Sequence, residues 1–180
     1  MLGERVVLQP NVVIGGAGFG FGKTWGYQVK TDLQGEKIWS KFHELKDGSF
    51  YASTMVSKNC EEYIIGGAFT GEEQKAGFIV IKTNSKGDTI LSNLFMDYGF
   101  GGRNEYLIDD KNDGYVYVIH GEIPSSLTVG MVIGLTDKFN IKWKKHWKNT
   151  TFTDIKQTSD DYFLLTGFIW DTTMNGVAQA

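Results

Sequence analysis

The chain has 180 residues, 41% hydrophobic and 22% charged, with 23 glycines, 2 prolines and a net charge of −3. These proportions describe an ordinary globular protein large enough to bury a core, and the slight acidity gives no electrostatic basis for nucleic acid or an anionic membrane as partner. The single cysteine, Cys60, excludes an intrachain disulfide and a thiolate zinc cluster, and no apolar run reaches the eighteen or so residues of a membrane span.

Twelve Phe, 8 Tyr and 5 Trp beside so many glycines read as short strands joined by turns. Met1 to Val7 shows no basic-then-apolar-then-small order, so no signal peptide is visible there. The first apolar run is Val12-Val13-Ile14-Gly15-Gly16. Ala17 to Thr24 follows it and fits a loose phosphate-binding loop, with Ala in place of the first Gly. Such a loop must open a helix, because helix amides share the anion with the Lys. Trp25 to Asp32 is instead aromatic, β-branched and glycine-flanked, so the segment is expected to be a hairpin between strands. Lys37-Ile38-Trp39 makes the next run.

The second unit is complete: Phe50 to Val56, Tyr63 to Gly67, Gly77 to Thr83 and Thr89 to Phe95, divided by Ser57-Lys58-Asn59, Thr70-Gly71-Glu72-Glu73 and Asn84-Ser85-Lys86-Gly87. The third has Tyr106-Leu107-Ile108, Tyr115 to Ile119, Gly130 to Thr136 and Ile141-Lys142-Trp143. Asp109 to Gly114 resembles a calcium loop in composition, but Lys111 takes a ligand position and the far bidentate Glu is missing, so a hairpin turn is expected. The fourth has Phe152 to Gln157, Tyr162 to Gly167 and Gly176 to Ala180.

The four units repeat one another. A glycine closing an apolar run recurs at Gly16, Gly67, Gly121 and Gly167, at intervals of 51, 54 and 46 residues; a second opens the next run at Gly26, Gly77, Gly130 and Gly176. About fifty residues per four-stranded meander is the size of one β-propeller blade. The fold class expected is all-β, a β-propeller of four-stranded antiparallel blades with about three and a half blades present, in units of roughly 1–45, 46–98, 99–148 and 149–180. Asn140 is expected to replace Gly35 and Gly87 at a turn of positive φ.

A Tyr-rich run ending in Gly (Tyr63 to Gly67), then Lys30-Thr31-Asp32-Leu33-Gln34-Gly35 with Trp39, or Lys82 to Gly87, resembles the propeller repeats of bacterial surface and secreted proteins. The resemblance implies an extracytoplasmic or surface setting and carries no activity of its own. Three complete units and part of a fourth read as a partial or open propeller, a segment of a longer one, with a half-propeller that dimerises as the alternative; its open blade edges lead to the expectation that the 180-residue chain by itself self-associates or is marginally stable.

Candidate sites are few. Trp39 and Trp143 occupy equivalent positions and are expected to pack between blades. Trp25 and Trp170, placed in loops between second and third strands, together with Phe19, Phe21, Phe69 and Phe168, outline an aromatic rim able to hold a protein, peptide or glycan. His43, His120 and His146 lie at unrelated points with no ligand spacing, so neither a metal nor a cofactor is expected, and no nucleophile motif is present. Asn149-Thr150-Thr151 is a formal glycosylation sequon. The function expected is a non-catalytic binding or scaffold module. The competing expectation is part of a quinoprotein-like propeller enzyme, on a loose likeness of Asp32, Gly35 and Trp39 to tryptophan-docking repeats, with its active site completed by other blades.

Overall fold

Apolar alternation and glycine-rich turns produce fourteen strands, with no helix among the described residues. The structure, a computed structural model, describes residues 12–20, 23–46, 48–58, 61–71, 76–96, 105–112, 114–123, 127–170 and 178–179. The first sheet holds β1 (Val12–Gly20), β2 (Lys23–Thr31) and β3 (Lys37–His43). The second holds β4 (Gly48–Lys58), β5 (Glu62–Gly71), β6 (Ala76–Asn84) and β7 (Thr89–Met96). The third holds β8 (Tyr106–Asp109), β9 (Tyr115–Ile123), β10 (Leu127–Leu135) and β11 (Ile141–Lys148). The fourth holds β12 (Thr150–Gln157), β13 (Phe163–Trp170) and β14 (Ala178–Gln179). Each sheet is an antiparallel meander of strands consecutive in sequence, so the fold is all-β. Ala17 to Thr24 is a hairpin in which Gly20 pairs with Lys23.

One irregularity recurs and aligns the units. A bulge separates Lys30–Trp39 from Thr31–Lys37, Lys82–Leu91 from Thr83–Thr89, and Gly134–Trp143 from Leu135–Ile141. The turn beyond it carries the same bond each time: the amides of Gly35, Gly87 and Phe139 donate to the carbonyls of Asp32, Asn84 and Thr136. Asp32 Oδ1 and Asn84 Oδ1 each accept two further turn amides, which is why a short polar acceptor opens the turn.

This register corrects two expectations. The left-handed residues are Gly35, Gly87 and Phe139, with φ of 87°, 79° and 61°, so Phe139 and not Asn140 takes the glycine position; Asn140 aligns with Glu36 and Asp88. The repeating glycines also drift. Gly16, Gly67 and Gly167 share a slot that Ile119 holds in the third sheet, while Gly77 lies one position ahead of Gly26 and Gly130.

Packing accounts for an aromatic residue in a strained turn. At the first joint the Trp39 ring lies on Gly87, where a Cβ would meet Trp39 Cζ3 and Lys41 Cγ at 2.8 Å each. Trp39 Nε1 donates to Ser85 O at 3.1 Å, and its ring meets Tyr63 at 6.4 Å between centroids. At the second joint Leu91 stands where Trp39 would, and Phe139 fills the space from the opposite side, buried beside Tyr115 and Leu135. At the third, Trp143 lies over Gly134 and meets Phe163 at 6.2 Å. Trp39 and Trp143 are therefore inter-sheet packing groups, as expected from their spacing.

The core is laminar, each layer shared by neighbouring sheets. Ile64, Phe78 and Val80 of the second sheet pack with Tyr117, Ile133 and Leu135 of the third; Val116, Val118 and Val132 of the third pack with Ile155, Phe163 and Leu165 of the fourth. Each such side chain contributes about 1.5–3 kcal/mol by leaving water.

The exchange of Trp39 and Gly87 for Leu91 and Phe139 is testable as a double-mutant cycle. Trp39→Leu alone leaves a void costing about 2–4 kcal/mol, and Gly87→Phe alone collides with the indole. The double variant reproduces the second joint at the first, so its loss of stability in urea should be smaller than the sum of the two single losses by at least about 1 kcal/mol. Simple additivity would refute the compensation.

Candidate functional site

One polar constellation breaks the repeat. In β4 and β12 a bulge sets aside Ser53 and Thr153, and the residue preceding β8 in the same slot is Glu105. Across from it Tyr117 of β9 occupies the slot that is Ile65 in β5 and Leu165 in β13. Both departures meet. Ser53 Oγ donates to Glu105 Oε2 at 2.6 Å and Tyr117 OH donates to the same oxygen at 2.5 Å. Nearby, the Leu107 amide donates to Thr54 Oγ1, so β4 and β8 are joined at adjacent points.

Glu105 is 4% exposed and Tyr117 fully buried. Burial disfavours the carboxylate more than the two hydroxyl donors favour it, and the pKa of Glu105 is pushed up to about 7. The phenol of Tyr117 is driven well above its ordinary value by burial and then by the adjacent Glu105, so it stays a neutral donor. As chemistry, the cluster is a carboxyl that exchanges its proton near neutrality while tying the second sheet to the third.

A second polar cluster bridges the first and second sheets. Gln28 is buried, its Nε2 donating to Thr83 Oγ1 at 3.3 Å, with Met55 Sδ at 3.9 Å. His43 contacts Gln28 Oε1 through Nε2 and Thr89 Oγ1 through Nδ1, each at 3.3 Å. Burial first, and the Lys41 charge second, hold His43 below the usual histidine pKa. Outside the core, Lys41 Nζ pairs with Asp88 Oδ1 at 2.8 Å across the same joint.

The aromatic residues expected at the rim distribute unevenly. Trp25 lies on β2 and Trp170 on β13 rather than in loops, because pairing continues to Gly20–Lys23 and to Trp170–Ala178. Trp25 meets Phe42 edge-on at 6.0 Å, and Phe168 meets Trp170 edge-on at 5.1 Å. Trp170 is 40% exposed, and its Nε1 lies 3.5 Å from Thr151 Oγ1. Phe69 is 4% exposed, its ring occupying the space a Cβ on Gly48 would need, so it offers no surface to a ligand. Phe19 pairs with Thr24 through the backbone, and Phe21 lies outside the described residues. Trp25, Phe168 and Trp170 all lie toward the ends of their sheets where second strands turn back into third strands.

Asp110 to Gly114 makes the hairpin turn, with the Asp110 amide donating to Gly114 O and Gly114 at φ 121°. Among the described residues no group of three His, Cys, Asp or Glu is placed to hold a metal, and no helix is long and apolar enough to cross a membrane.

The two clusters give opposite pH dependences. Glu105 is neutral in both states below 4.5; as pH rises the unfolded chain ionises first, so stability falls until about pH 7, by about 3 kcal/mol in all. His43 works the other way, since the unfolded chain takes up its proton first as pH drops below 6.5. Urea midpoints followed across pH should lose the decline toward neutrality in Glu105→Gln and the decline toward acid in His43→Gln. An unchanged neutral-side slope in Glu105→Gln would contradict the buried-carboxyl reading.

The chain matches no protein-family model, and no curated protein matches it.

Proposed function

We propose that the four sheets are vanes of a β-propeller and that the chain is a non-catalytic binding or scaffold module of the extracytoplasmic kind its repeat resembles. The observation carrying this reading is periodic contact between sheets. Side-chain hydrogen bonds about one repeat apart, at 46–55 residues, recur between neighbouring sheets: Trp39 to Ser85, Asn93 to Phe139, Lys111 to Gln157, Ser53 to Glu105 and Gln28 to Thr83; β2 also reaches β4 at shorter separations, from Thr24 to Ser49 and Gln28 to Met55. The first strands also lie against one another, β4 on β8 and β8 on β12, as strands nearest a common axis do.

Two features favour binding over catalysis. The recurring residues are accounted for by packing, and the one polar cluster that breaks the repeat spends both its donors on a single carboxyl oxygen between sheets. The end assigned to the ligand is the one where second strands turn back into third strands, with Trp25 on the first sheet and Phe168 and Trp170 on the fourth, and a protein, peptide or glycan is the class of partner that aromatic rings of this kind hold.

Screening the chain against glycan and peptide arrays should yield a ligand whose binding is lost in Trp25→Ala and Trp170→Ala. The melting temperature of these variants should fall less than that of Trp39→Ala, whose indole is built into a joint. Equal destabilisation by all three would make the rings packing groups and overturn the binding role.

A further inference from the structure

Three of the sheets end on an outer strand of the same kind. β3, β7 and β11 pair inward with β2, β6 and β10, and among the described residues no strand pairs with their far edges. Sheets stack through their faces, so a neighbour on either side leaves such an edge as it is.

Alternate residues of an outer strand point to the side of the preceding sheet. In β7 these include Ser92 and Leu94, opposite Ile81 and Ile79. Both are exposed, although the second sheet is packed on one face by the third and joined on the other to the first. This side of an outer strand therefore stays open where the stack continues.

On β11 the same slots hold Lys144 and His146, opposite Ile133 and Met131, and Lys148 takes the place of Met96. All three are exposed. The first sheet has Ser40 and Phe42 in the first two slots, so the cations belong to the third sheet alone. β11 as a whole carries Lys142, Lys144, Lys145, His146 and Lys148 and no acid, in a chain of net charge −3. Lys142 is tied to Asp110 at 3.8 Å, and Lys145 lies on the side of the fourth sheet with Trp143, which leaves Lys144, His146 and Lys148 as the open row.

Lysines on an edge strand also keep other edges away. Protection alone does not explain the pattern, because the edge of β7 is just as free and Thr89–Met96 has no charged residue. The row instead complements a ligand of opposite charge and matching period. Its members recur every second residue, about 6.8 Å apart, which is the spacing of alternate side chains on any extended peptide laid beside the strand. Opposite charges placed directly across two strands attract on every such pair.

We infer that the outer edge of β11 takes an extended acidic segment of another protein as a fifth strand of the third sheet, with its Asp or Glu side chains opposite Lys144, His146 and Lys148. Backbone pairing along the edge supplies affinity, and the cation row selects the sequence. The edge is a property of the third sheet alone and exists however the four sheets share an axis, so its occupancy is independent of the propeller reading.

Fluorescence anisotropy of the 180-residue chain with a labelled octapeptide alternating Glu and Thr tests this. The octapeptide should bind, and added salt should weaken it. Lys144→Ser, His146→Leu and Lys148→Met together copy the residues of β7, and should weaken binding at least about tenfold. Lys144→Glu with Lys148→Glu serves in their place if the triple variant loses its strand circular dichroism. The same octapeptide N-methylated at every amide keeps its charge and cannot pair with an edge, so it too should bind at least about tenfold more weakly. An octapeptide that does not bind wild type, or that binds the variants equally, overturns the acidic partner. Equal binding of the N-methylated form overturns strand addition, as does tighter binding of a sulfated polysaccharide that is lost in the same variants, which would make the row a surface for polyanionic glycans.

Discussion

A four-stranded meander with apolar residues on both faces cannot satisfy itself. Ile64 and Ile65 are neighbours on β5, point to opposite sides, and are both fully buried, the first among residues of the third sheet and the second in a cluster with Phe50, whose ring lies on Gly26 of the first sheet. Alternation makes such a strand need a layer above and a layer below. The stacking of sheets and the aromatic wedges in the joints both follow from that requirement.

Volume, rather than residue identity, is what each joint conserves. An indole from the earlier sheet over a glycine turn at the first joint becomes a leucine met by a phenylalanine from the later sheet's turn at the second. Phe139 carries positive φ at a conformational cost of order 1 kcal/mol, and complete burial of its ring more than offsets it. A repeat can therefore change its sequence at two sites far apart in the chain and keep its geometry, provided the sites face each other.

The strand order of each meander, the hairpin at Ala17 to Thr24 and the packing of Trp39 and Trp143 were legible in the sequence, because glycine turns and period-two alternation are local signals. Asn140 draws the expectation of positive φ because conformational preference favours Asn over Phe there, and only the neighbouring sheet reveals what Phe139 gains. Glycine reads as a strand end in the sequence and so places Trp25 and Trp170 in loops, whereas pairing runs through Gly18 and Gly20 almost to the turn. Glu105 carries no local signal, since its chemistry depends on Ser53 and Tyr117, 52 and 12 residues away. The signal available was comparative: Tyr117 stands where its repeat-mates are aliphatic, and such a departure asks for a polar partner.

The polar clusters lie in the joints rather than on the sheet surfaces, and this gives each joint an identity. Apolar layers alone tolerate exchange, because Ile, Val and Leu occupy equivalent slots in different sheets. Gln28 with His43 and Thr83 belongs to the first joint alone, and Ser53 with Glu105 and Tyr117 to the second. A sheet stacked out of order would leave a buried carboxyl or amide without its partners, at a cost of about 1–3 kcal/mol for each group left unsatisfied. Hydrophobic burial thus drives the sheets together, and the buried polar groups specify which sheet follows which.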